Sequence, residues 1–135
     1  MIKNIPFITS ILIIGIVLFQ SILIAPAINK IINIKEASTI LRYIWPKFFL
    51  IISLLSAVSI LTILTINTNH NLAKWYIIIS FSLMIICYFI TPLINQAKDS
   101  GNNQLWSLLH LLTVIATLIT LILNILNIIY WKFTQ

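Results

Sequence analysis

The sequence predicts an all-α integral membrane protein: a four-helix bundle forming one transmembrane domain over residues 1–135. Three observations predict it. Mean hydropathy is +1.12, with 61% hydrophobic and 7% charged residues. Soluble domains carry about 25% charged residues, and so short a chain cannot hide this much apolar surface from water. Four charge-free runs, at about 7–24, 48–66, 75–94 and 105–130, approach or exceed the roughly 20 residues that a membrane helix needs. Trp45, Trp75, Trp106 and Trp131 fall at the ends of these runs, where an amphipathic ring meets the headgroups. The runs are continuous rather than alternating, which excludes barrel strands.

The first run follows Lys3 and ends at Ala25-Pro26-Ala27, which resembles a signal-peptide cleavage site. Pro26 inside that site and the length of the run favour a retained span. In the connection 29–45, Asn33 and Glu36 form a capping-box variant, and Ala37, Ile40, Leu41 and Ile44 recur at helical spacing. This predicts a short amphipathic helix on the membrane surface. It should end at Trp45, because a residue before proline is disfavoured in helical geometry, and Pro46 then opens the second span. The connection 67–74 is short and polar. Residues 96–103 have turn composition.

Net charge is +6, but the basic residues are scattered singly around the apolar runs. That pattern fits anchoring to lipid headgroups, not nucleic acid. Lys30, Lys35, Arg42, Lys47 and Lys98 collect on one side; Lys3, Lys74 and Lys132 collect on the other. The positive-inside rule then places the termini on the periplasmic side of a bacterial inner (plasma) membrane. Besides the bilayer, the expected partners are a second copy of the chain or another membrane protein. The single cysteine, Cys87, excludes an internal disulfide and reads as a small apolar side chain.

An internal repeat joins Ile24-Ala25-Pro26-Ala27-Ile28-Asn29 to Ile90-Thr91-Pro92-Leu93-Ile94-Asn95 at an offset of 66, and the same offset carries the second span onto the fourth. The chain then reads as two parallel helical hairpins. Pro26 and Pro92 are matching kink positions, and Asn29 and Asn95 share one membrane face.

The fourth span carries His110, Thr113, Thr117, Thr120, Asn124 and Asn127 at steps of 3, 4, 3, 4 and 3. Such a seam marks one helix face, which in lipid turns inward. It serves either as hydrogen-bonding glue, with Ser53, Ser56, Ser59 and Thr62 as partners, or as a path for a small polar ligand or proton. His110, roughly 8 Å inside its span, is the best single functional candidate. His70, the other histidine, lies across the bilayer, so the two cannot share a metal or haem within a monomer. No carboxylate lies within a span, and no phosphate loop or nucleophile motif is present.

Phe19-Gln20, Ala25-Pro26 and Pro46-Lys47-Phe48-Phe49, then Thr91-Pro92-Leu93-Ile94-Asn95, Lys98-Asp99, Leu109-His110 and Asn124, resemble a known family. It is the bacterial membrane domain of unknown function that is similar to eukaryotic transmembrane protein 205. The resemblance implies four membrane helices and carries over Pro92, Asn95, Asp99 and His110, with no established activity.

These readings converge on a non-enzymatic accessory or small transport component, with no catalytic residues, metal or cofactor expected. The alternative is a membrane redox enzyme that places His110 beside haem or quinone. Topology gathers Asn29, Arg42, Asn95, Asp99 and His110 toward one face as a candidate polar site, with Arg42 and Asp99 paired across the hairpins.

Overall fold

A computed structural model describes residues 2–66 and 71–133. His70 lies outside the described residues. A one-turn 3-10 segment, Ile2–Asn4, leads into α1 (Ile5–Phe19). A π-helical turn, Gln20–Ile24, joins α1 to α2 (Ala25–Ile31), and together they make one rod. α3 (Ile34–Ile66), α4 (Asn71–Asp99) and α5 (Asn103–Phe133) follow. All four rods are long and apolar enough to cross a membrane. In hydrocarbon a chain must satisfy its backbone within each segment, so continuous helix is the expected outcome for such runs.

The rods form a ring. α1 packs on α3, α3 on α4, α4 on α5, and α5 closes against α1. α3 is therefore diagonal to α5. Leu and Ile side chains such as Leu54, Leu61, Leu108 and Leu118 cover the outside.

Helix ends follow their local chemistry. The Asn33 side chain accepts from the Glu36 N–H at 3.0 Å, capping α3 as predicted. After α4, Gly101 takes a φ of 71°, and the Asn102 N–H reaches back to the Ala97 carbonyl at 3.0 Å, a Schellman closure that favours glycine. Asn102 then caps α5 by accepting from Leu105 N–H at 3.0 Å.

The separate surface helix ending at Trp45 is not formed. α3 runs unbroken through Pro46. An interior proline costs about 3 kcal/mol, so packing must outweigh it. Trp45 contacts both Phe48 and Phe49, with ring centroids 5.5 and 5.7 Å away, and the two phenylalanines are buried among the rods. That anchorage holds the helix through the proline and carries its amphipathic first turns into the bundle.

The repeat has a more complex register than one fixed offset. Before the π turn, the buried Ser10, Ile13, Val17 and Gln20 match the buried Ile77, Ser80, Met84 and Cys87, each pair 67 apart. After it, Pro26 and Pro92 are 66 apart. The π turn takes up the one extra residue, with the Ala25 N–H reaching the Gln20 carbonyl five residues back. The second and fourth spans do not share the offset. Phe49, Ile52 and Ser56 are buried, whereas Ile115, Leu118 and Ile122 face outward.

The interior is layered. Ile63, Ala73, Ile77 and Trp131 form an apolar cap near the termini. A polar belt follows, including Ser10, Ser59, Ser80, Asn124 and Asn127. Next comes a second apolar layer of Ile13, Val17, Phe48, Phe49, Ile52, Met84, Cys87 and Ala116. Beyond that layer the rods enclose a cavity.

Candidate functional site

The cavity has a volume of about 240 Å³ and opens at the end of the bundle opposite the termini. Four of the five predicted polar residues line it: Asn29 from α2, Arg42 from α3, Asn95 from α4 and His110 from α5. The fifth, Asp99, stands beside the cavity and grips Arg42. Nη1 donates to Oδ2 at 3.0 Å and Nη2 to Oδ1 at 2.5 Å, joining the two hairpins as predicted. The side chains are 35% and 61% exposed, so the fork orients Arg42 more than it stabilises the fold.

His110 does not point into the bundle. It is exposed on the cavity wall, and its ring lies parallel to Trp106 at 5.6 Å, with 3° between planes. The next seam residue, Thr113, is buried at the cavity floor beside Thr91 and Phe49. The seam therefore splits. Its first two members, His110 and Thr113, line the opening, and the rest, apart from the half-buried Thr117, are enclosed.

The enclosed seam bonds to helices other than the serine stripe. Asn127 Nδ2 donates to Ser10 Oγ at 2.9 Å and to the Pro6 carbonyl at 3.3 Å. Asn124 Nδ2 donates to Ser80 Oγ at 3.3 Å and to its own helix at Thr120 O, 2.8 Å away. Thr117 likewise bonds back to the Thr113 carbonyl. Ser53, Ser56, Ser59 and Thr62 are buried, but α3 is diagonal to α5. Ser59 instead pairs with Thr9, and Ser53 and Thr62 bond back to their own helix.

Pro92 and Pro26 are both exposed, and Pro92 lies inside α4. The neighbouring Thr91 hydroxyl bonds the Cys87 carbonyl at 2.8 Å.

Sequence reasoning missed three cavity residues and one buried amide. Trp45 and Trp106 read as bilayer anchors, yet both line the cavity. Lys98 read as a headgroup anchor, but its Nζ sits 4.1 Å above the Trp106 ring on the cavity wall. Gln20, at the start of the π turn, is 6% exposed, and its Nε2 has no partner among the described residues. A lone amide in an apolar span was the available signal. No cluster of three His, Cys, Asp or Glu side chains suited to a metal occurs among the described residues.

In the comparisons with known proteins, the family described as a domain of unknown function, DUF4149, matches residues 8–103. His110 and the whole polar seam lie beyond the matched segment. No curated protein and no solved structure matches.

Proposed function

The chain belongs to the DUF4149 family, and we propose that it works as a non-enzymatic inner-membrane component, accessory or small transport, through its interfacial cavity. One observation carries this reading. The cavity collects Asn29, Arg42, Asn95 and His110 from four different helices, together with Trp45 and Trp106. An opening of this kind, concave and largely apolar with a few convergent polar groups, is how small-molecule sites are built.

The enclosed seam is read as glue. Asn124 and Asn127 spend their amide donors on neighbouring helices and on their own, and the apolar layer around Phe49, Ile52 and Met84 separates them from the cavity. A path along the seam would have to cross that layer. The site would face the cytoplasm, with the termini periplasmic, following the excess of basic residues on the cavity side. The likeness to transmembrane protein 205 belongs to this reading and would extend the site to eukaryotic relatives. A second copy of the chain or another membrane protein is the expected partner on the exposed helix faces.

A second reading is a redox protein with haem or quinone beside His110. The exposed placement of His110 on the cavity wall is the observation that favours it. An absorbance spectrum and a solvent extract of the purified protein separate the two. The expected result is no Soret band and no quinone; a stoichiometric chromophore overturns the non-enzymatic reading. Orientation is tested in intact cells by cysteine labelling at positions 70 and 98 in a Cys87→Ala background. Labelling at position 70 alone supports periplasmic termini. Labelling at both positions breaks the four-span topology.

A further inference from the structure

We infer that the cavity takes the head of an anionic phospholipid from the surrounding leaflet, with a phosphate oxygen between Arg42 and Lys98. The inference rests on the cavity being the working site.

The lining is rich in donors and holds no carboxylate. Arg42, Lys98, Asn29, Asn95 and His110 all present N–H groups. The two acids on this side of the bundle are placed elsewhere. Asp99 is engaged by Arg42, and Glu36 faces a separate surface hollow beside Ile32 and Ile40. A guanidinium has five N–H donors. Asp99 takes two of Arg42's, and the other three remain for a ligand. Lys98 is held against the Trp106 face, which fixes the ammonium at the wall and leaves the N–H donors turned away from the ring for a ligand. Asp99 offsets part of the Arg42 charge from outside the lining, and Lys98 leaves the wall net positive, which selects an anion.

The rest of the lining selects an amphiphile. Leu41, Phe49 and Ile94 supply apolar wall and floor. Inorganic phosphate has no use for such a floor, whereas the glycerol and first acyl carbons of a lipid would cover it. Trp45 and Trp106 mark the headgroup level, where a lipid phosphate already lies.

The test uses the full chain in phosphatidylcholine vesicles containing phosphatidylglycerol, with bromine on the acyl chains of one lipid at a time. Bromine quenches tryptophans that it touches, and the difference between wild type and Trp106→Phe isolates the Trp106 signal. The expected result is stronger quenching by brominated phosphatidylglycerol than by brominated phosphatidylcholine at equal mole fraction. A basic residue at an anionic surface is worth about 1 kcal/mol, so Lys98→Gln and Arg42→Gln should each cut that preference about fivefold. Lys47→Gln, on the same side but outside the cavity lining, should leave it unchanged.

Three results overturn the inference. Equal quenching by the two lipids removes the anionic class. An equal loss in Lys47→Gln reduces the effect to diffuse headgroup attraction. A saturable change in Trp106 emission on adding inorganic phosphate to pure phosphatidylcholine vesicles assigns the site to the free ion. In each case, protein free of chromophore leaves the proposed working site standing. Haem or quinone in the purified protein removes that reading itself.

Discussion

Thr113 and Asn127 lie on one face of α5, both buried, yet they serve opposite halves of the bundle. Around Asn127 the rods are closed, and polar groups from α1, α4 and α5 bond one another. Around Thr113 the rods part, and cationic and aromatic side chains surround an opening. The difference lies in what stands nearby. The closed half draws on uncharged Ser, Thr and Asn, which can satisfy one another in a low-dielectric interior. The open half has Arg42, Lys98 and His110, whose hydration keeps them at the interface. Polar residues of one seam thus become glue or site according to depth and charged neighbours.

The boundary between the halves is the largest target. Phe49 is buried in the apolar layer and also lines the cavity. Phe49→Ala should lower the unfolding free energy by about 3–5 kcal/mol, the usual range for Phe truncated in a core. Chemical unfolding in mild detergent measures it. A loss below about 1 kcal/mol would mean that the rods collapse freely into the space, and that the layer is no firm partition.

Asn127→Ala tests the closed half. It removes the donor to Ser10 and Pro6 and should cost about 1–2 kcal/mol, near the upper end for hydrogen bonds between membrane helices. Ser10→Ala combined with it should then cost less than the sum of the two single changes. Full additivity would show that the bond contributes nothing. Thr120→Val should move the other way. Its hydroxyl is buried with no partner among the described residues. Replacing it with a methyl should raise stability by about 1 kcal/mol. A loss instead would place an unseen partner in the belt.

The spans were legible because lipid demands continuous apolar helix, and Trp75, Trp106 and Trp131 stand near helix ends, whereas Trp45 lies well inside α3. The candidate site was legible through topology: odd connections share a face, which brought Arg42 to Asp99 and placed Asn29, Asn95 and His110 around one cavity. Pro46 was misleading because the pre-proline rule is local, while Phe48 and Phe49, with Trp45 against them, pack on residues of the other rods such as Val17, Met84 and Ala116. The serine stripe was misassigned because composition cannot tell a neighbouring helix from a diagonal one. The one-residue shift at Gln20–Ile24 was invisible to a fixed offset, since the matching motif lies almost wholly beyond it.

The smallest expected effect sharpens the comparison most. Asp99→Asn should leave the unfolding midpoint unchanged, because the carboxylate is largely exposed and its pair with Arg42 competes with water. The charge on Arg42 persists, so the cavity keeps its cations while losing the fork that orients one of them. If Asp99→Asn destabilised the fold as much as Asn127→Ala, the open half would also be glue. The ion pair would then be a clamp between the hairpins, and the cavity only the space left beside it. An unchanged midpoint means that nothing in folding requires these charges to be gathered at one face. Their gathering would then be independent of folding, as the proposed site requires.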